Sequence, residues 1–86
     1  GVSFRSEVIE SMAHGEPSSS RVVGRRIDEI QLPTGTTLSV ILRNEEVKTA
    51  RKETVIEPED NVIVYVIDKQ HIPDVEKLFQ VSVTYV

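Results

Sequence analysis

Three arginines, Arg21, Arg25 and Arg26, crowd one short stretch, and of all the side chains in this sequence they are best suited to hold an anion. Arg21 and Arg25 lie four residues apart, one helical turn, and Arg26 follows directly. Ser20 stands before them as a good N-cap, so the stretch reads as the start of a helix whose free N–H groups point the same way as the guanidinium groups. That combination suits a small anionic regulator such as a nucleotide or a cyclic dinucleotide. Two acids, Asp28 and Glu29, come close behind. The competing reading is therefore a solvated helix face on which Arg25 pairs with Glu29 four residues later.

Other chemistry is poorly served. His14 and His71 are single histidines in predicted loops, with nothing in the sequence to bring them to one metal ion. Ser19, His71 and Asp60 supply the residue types of a hydrolytic triad, but no strained nucleophile turn of the G-x-S-x-G kind accompanies them. The adjacent carboxylates Asp28-Glu29, Glu45-Glu46 and Glu59-Asp60 fall in predicted turns or on solvated faces, and no apolar flank suggests the burial that would split their pKa values. The four glycines, at 1, 15, 24 and 35, are too far apart for a phosphate-cradling loop. Without cysteine there is no disulfide, thiolate metal site or thiol nucleophile. These observations predict no catalytic, metal or cofactor residues in this stretch of chain, and no enzyme.

Eighty-six residues suffice for one small core. A charged fraction of 28% fits a soluble domain, and a net charge of −4 argues against nucleic acid as a partner. The longest apolar run, Val62 to Ile67, is far shorter than the roughly 18–20 residues of a membrane helix. The opening GVSFRSEV has neither a signal-peptide pattern nor an initiator methionine, so the chain is expected to be a fragment of a longer protein.

The elements that must position these residues follow from periodicity. EVIESMA fits either a helix or a strand, with a strand from about residue 7 preferred. His14 to Ser20 is dense in turn formers. Val23, Ile27 and Ile30 recur at helical spacing, so a helix of seven to ten residues is predicted there, despite a cost of about 1 kcal/mol for Gly24 within it. Leu32-Pro33-Thr34-Gly35 stops it. Thr37 to Arg43 alternates as a strand, with Leu38, Val40 and Leu42 on one face, then Asn44-Glu45 forms a two-residue hairpin turn to a return strand over Glu46 to Ala50. Thr54 to Ile56 adds a short strand, and Glu57 to Asp60 turns the chain into NVIVYVID, whose nearly unbroken apolar character predicts a strand buried on both faces. Pro73 opens a second short helix carrying Ile72, Val75, Leu78 and Phe79, and Val81 to Val86 reads as a terminal strand at a sheet edge open to a partner. The predicted core includes Val23, Ile27, Ile30, Val64, Val66 and Leu78. The predicted class is α+β: a small, mostly antiparallel sheet with two short helices in the order β-α-β-β-β-β-α-β.

VVGRRIDEIQLPTGT, ILRNEEV, IEPEDNVIVYVIDK and DVEKLF, taken in this order and preceded by EVIESMAHG, resemble the C-terminal lobe of RCK domains (regulators of potassium conductance), the TrkA-C family. The likeness spans nearly the whole of residues 1–86 as a single TrkA-C domain. It departs from the family at Glu59, where relatives often carry glycine, and at Thr49-Ala50-Arg51, where they often carry proline. The resemblance implies a cytoplasmic subunit lying peripherally on the inner face of a membrane-embedded potassium transporter and assembling into homo-oligomeric rings. NAD(H) or ATP/ADP would bind in N-terminal nucleotide-binding lobes that lie outside this chain. C-terminal lobes of this kind commonly pair, and in some relatives the cleft of the pair holds a cyclic dinucleotide or a divalent ion. No ligand residue of the family transfers to a position here.

Overall fold

The computed structural model describes residues 5–81. Four strands make one sheet: β1 (Glu7–Met12), β2 (Thr36–Arg43), β3 (Glu46–Thr49) and β4 (Asn61–Val66). Their spatial order is β1-β4-β2-β3, and every neighbouring pair is antiparallel. Single 3-10 turns at Ile27–Glu29 and Lys69–His71 and one helix, α1 (Ile72–Phe79), complete the regular structure. The predicted class, a small antiparallel sheet with short helical elements against it, is the observed one.

One face of the sheet carries the core. Val62, Val64 and Val66 of β4 are fully buried, flanked by Leu38 and Ile41 of β2. The covering layer comes from Ala13, Val22, Val23, Ile30 and Ile56 on connections and from Val75 and Phe79 of α1, with Ile27 and Leu78 packed at the border. Burial of a valine or isoleucine side chain contributes about 1.5–3 kcal/mol, so this cluster is the main source of stability. Pro73 sits in the first turn of α1 as expected, and the helix ends at Phe79 with Gln80 as its C-cap.

Two features of the sheet differ from the pattern in the sequence. First, a bulge at Ser39 shifts the β2–β4 register between Leu38, opposite Val64, and Val40, opposite Ile63. The alternation of Leu38, Val40 and Leu42 is therefore broken: Leu38 and Ile41 face the core, while Val40 and Leu42 face away. Second, β4 is not buried on both faces. Val62, Val64 and Val66 are buried, but Ile63 is only half-buried and Tyr65 is exposed. Its apolar run reflects one packed face and one open face.

The predicted helix over residues 21–30 is corrected to a capped turn followed by extended chain. Ser20 caps, but what it caps is a turn: its Oγ accepts from the N–H groups of Val22 (3.1 Å) and Val23 (2.9 Å). Gly24 then turns left-handed at φ +80 and donates its N–H to the Ile56 carbonyl at 2.7 Å, while Ile56 N–H donates to the Arg25 carbonyl at 3.1 Å. Arg26 is extended and bridges Val55. The predicted strand at Thr54–Ile56 is thus only this local ladder, outside the main sheet. Val23, Ile27 and Ile30 still face the core, although a turn, a bridge and a 3-10 turn deliver them rather than one helix. Of the predicted terminal strand, Val81 is irregular and residues 82–86 lie outside the described residues.

The turns show their chemistry in backbone angles. Asn44 (φ 51) and Glu45 (φ 65) are both left-handed, as a two-residue hairpin joining twisted strands requires. Between Glu57 and Asp60, Pro58 and Glu59 occupy the two central positions of a turn closed by Asp60 N–H donating to the Glu57 carbonyl at 3.2 Å. Glu59 has φ 71, a value that favours glycine at this position of the turn. The departure from the family pattern at this position therefore carries backbone strain. Glu59→Gly is expected to stabilise the domain by about 1 kcal/mol, read as a higher urea midpoint at unchanged slope.

Candidate functional site

Because residues 21–30 are not a helix, the arginine cluster does not stand at a helix N-terminus. Arg26 is committed locally: its Nε donates to Asp28 Oδ1 at 3.0 Å and its Nη2 to Asp28 Oδ2 at 2.7 Å, while its own N–H donates to Glu29 Oε1 at 3.0 Å. Glu29 is thus occupied by backbone, and the expected Arg25–Glu29 pair is replaced by Arg26–Asp28. The guanidinium of Arg21 reaches the Lys77 carbonyl near the end of α1 at 3.5 Å. Arg21 and Arg25 are exposed and have no carboxylate partner among the described residues.

The other groups weighed for chemistry are not assembled. Ser19 Oγ accepts from the Glu16 N–H at 3.1 Å and donates to the Glu16 carbonyl at 3.3 Å, closing a local turn. His71 lies beside Asp74, Nδ1 to Oδ2 3.7 Å, at the start of α1. His14 instead borders an open depression of about 450 Å³ between the end of β1 and the end of α1, lined by Met12, Phe79 and Val81 together with Glu76 and Gln80. None of the three arginines lines it.

Sequence reasoning missed the most tightly built polar cluster. Asp60, placed by the sequence pattern in a solvated turn, is 1% exposed. The correction has a physical cause: the turn before β4 folds under the end of β2, and the bulge at Ser39 carries Arg43 to meet it. Arg43 holds Asp60 bidentately, Nε to Oδ1 at 2.9 Å and Nη2 to Oδ2 at 2.7 Å. Nη2 also donates to the Val55 carbonyl at 2.9 Å, and Nη1 pairs with Glu57 at 2.7 Å. The Glu57 N–H donates to Asp60 Oδ2 at 2.9 Å. The hydrogen bond to Asp60 is the main reason the Arg43 guanidinium is raised above its ordinary pKa, assisted by the charges of Asp60 and Glu57 and opposed by desolvation. Arg43 therefore stays charged at every accessible pH, and the cluster clips segment 55–60 to the sheet. The available signal was Arg43 sharing a strand face with Ile41, which became informative only once that face proved to be the core face.

The TrkA-C domain family matches residues 16–80. The chain is 52% identical over 79 residues to the Trk system potassium uptake protein TrkA of Halomonas elongata, covering 92% of this chain and 17% of that protein. Its identity to the TrkA of Vibrio alginolyticus is 51%, covering 88% of this chain and again 17% of the relative. The TrkA of Haemophilus influenzae is 41% identical over 93% of this chain, which spans 18% of that protein. The chain thus spans about a sixth of the length of the curated relatives it matches. Among solved structures, an RCK domain with cda superposes with a TM-score of 0.71, covering 85% of this chain and 97% of that one at 14% identity, a likeness of fold alone. On the match over residues 16–80 and these identities, the chain belongs to the TrkA-C domain family.

Proposed function

We propose that this domain is a regulatory lobe of a peripheral subunit of a potassium uptake system on the cytoplasmic face of the membrane. Its task is to pair with another lobe and pass ligand-dependent changes elsewhere in the subunit to a membrane-embedded transporter. The observation that carries the reading is the 52% identity to a TrkA protein across 92% of the chain. The domain's resources fit a coupling role: a packed core, a clipped loop and exposed surfaces, rather than an assembled set of reacting groups. A lobe of this kind biases a gate only if the assembly has two arrangements that a ligand binds with different affinity. Nucleotides such as NAD(H) or ATP/ADP would bind in other lobes of the full-length subunit.

The test is transplantation. Residues 5–81 replace the matching segment of the Vibrio alginolyticus TrkA, and potassium-limited growth and rubidium uptake are measured in cells that depend on it. Uptake near the parental level is expected, and loss of uptake with a normally folded chimera would overturn the reading. A second reading, a sensor of an anionic regulator gripped by Arg21, Arg25 and Arg26, draws on the exposure and missing carboxylate partners of Arg21 and Arg25. Calorimetry of the isolated 86-residue domain separates the two. An Arg21→Ala/Arg25→Ala version of that domain that loses the heat of binding to ATP or a cyclic dinucleotide supports the sensor, and unchanged or absent heats remove it.

A further inference from the structure

β1 is an edge strand, and its outer side is bare. It pairs with β4 alone, in an unbroken antiparallel register from Glu7 opposite Val66 to Met12 opposite Asn61. Just past that ladder the Ala13 N–H donates to the Asp60 carbonyl at 2.8 Å, and the Ala13 carbonyl accepts from the Glu59 N–H at 2.7 Å. The Arg5 carbonyl accepts from the Lys69 N–H at 2.9 Å. Odd-numbered residues thus turn their backbone groups toward β4, and Val8, Glu10 and Met12 turn theirs outward. Among the described residues no other backbone group meets them. Sequences commonly blunt such an edge with lysine, proline, a bulge or a very short strand. β3, at the opposite edge, has four residues and carries Lys48. β1 has six residues in regular register, with no lysine, proline or bulge.

The chain returns to this edge after α1. Val81 packs beside Gly15, three residues past Met12: a Cβ on Gly15 would lie 3.3 Å from Val81 Cγ2. At this point lies the open depression lined in part by Ser11, Met12, His14 and Phe79. Beyond Val81 come Ser82, Val83, Thr84, Tyr85 and Val86, four of them good strand formers.

We infer that residues 82–86 add a fifth strand to the sheet, antiparallel to β1 on its outer edge, and close the depression. Reach selects this edge. From the level of Gly15, five residues at about 3.4 Å each run past Met12 and end beside Glu10, short of Val8. The edge at β3 lies three strand spacings away, about 14 Å across the sheet, and crossing to it would consume nearly the whole segment. Equal rise sets Thr84 opposite Met12 and Val86 opposite Glu10, as hydrogen-bonded pairs on the outward groups of β1. Val83 then stands opposite Ala13 and Tyr85 opposite Ser11. Ala13 is fully buried, so those two side chains fall on the core side, over the depression beside Phe79. Glu76 and Gln80 line the same depression and give the Tyr85 hydroxyl polar partners. Ser82 and Thr84 fall on the open face of the sheet, with Val86. A slip of one residue would put the two hydroxyl residues over the depression and Val83 and Tyr85 in water.

Amide hydrogen exchange by NMR tests this on the 86-residue chain and on a chain ending at Val81. The Met12 and Glu10 N–H groups are expected to exchange at least about tenfold more slowly in the longer chain, with Val8 unchanged. Tyr85 and Ser11 form a non-hydrogen-bonded pair, so an Hα–Hα nuclear Overhauser effect should join them. Thr84→Pro removes the donor to the Met12 carbonyl without touching the packed core. It should abolish the slowing and leave the amides of β4 protected, and it gives the same readout should the shorter chain misfold. Equal exchange at Met12 and Glu10 in the two chains overturns the strand. An Overhauser effect from Tyr85 to a different β1 residue overturns the register. Slowing that grows with protein concentration between about 0.1 and 1 mM gives the segment to a second copy and overturns the strand within one chain.

Discussion

Arg43→Met is expected to destabilise the domain by about 3–4 kcal/mol in urea unfolding, more than any single surface substitution. The reason is what it leaves behind. Asp60 is 1% exposed and accepts from two guanidinium nitrogens and one backbone N–H. Without Arg43, only the Glu57 N–H faces a carboxylate shut off from water, and an uncompensated buried charge of that kind is costly. Asp60→Asn should cost less, about 2–3 kcal/mol, because the arginine side chain retains 18% exposure, the Glu57 carboxylate and the Val55 carbonyl. The order of the two is the discriminating observation. If the cluster were an ordinary surface pair, both variants would fall within about 1 kcal/mol of the parent and of each other. A double variant, Arg43→Met/Asp60→Leu, should recover much of the loss, since neither a charge nor an unpaired polar group then remains buried.

The same cluster shows why some of this molecule was legible in the sequence and some was not. Strand positions were readable because alternation is local: β1 and β2, the hairpin at Asn44-Glu45 and the helix from Ile72 each depend on neighbours within a few residues. The Arg43–Asp60 clip depends on a bulge at Ser39 that changes which side of β2 faces the core, and a one-residue register shift leaves no mark in residue types. The open sheet face was hidden for a related reason. Val62 to Val66 is apolar at every position, and that pattern arises equally from two packed faces or from one packed face and one open face. For the arginines, the anion-binding argument needed free helix N–H groups, and here the Val22 and Val23 N–H groups are capped by Ser20 while the Gly24 N–H is given to Ile56.

Gly24→Ala tests that last point with opposite signs. In a helix spanning residues 21–30, replacing an interior glycine by alanine would stabilise by about 1 kcal/mol. In the observed structure it should destabilise by about 2–3 kcal/mol, from two sources. Gly24 has φ +80, which an L-residue adopts only with strain, at a cost of about 1–2 kcal/mol offset in part by lower chain entropy in the unfolded state. An added Cβ would also lie 2.8 Å from Cγ and 3.1 Å from Cβ of Pro17, closer than side-chain carbons pack, so the loop over residues 15–20 must shift. That loop carries Ser20, whose hydroxyl caps the turn placing Val22 and Val23 in the core, so strain there reaches the packed layer. A double-mutant cycle with Pro17→Ala separates the sources: removing the ring should relieve the steric part and leave the conformational part of about 1 kcal/mol. If Gly24→Ala raises the urea midpoint instead, residues 21–30 form a helix in solution, and the arginine cluster regains the helix N-terminus that its anion reading requires.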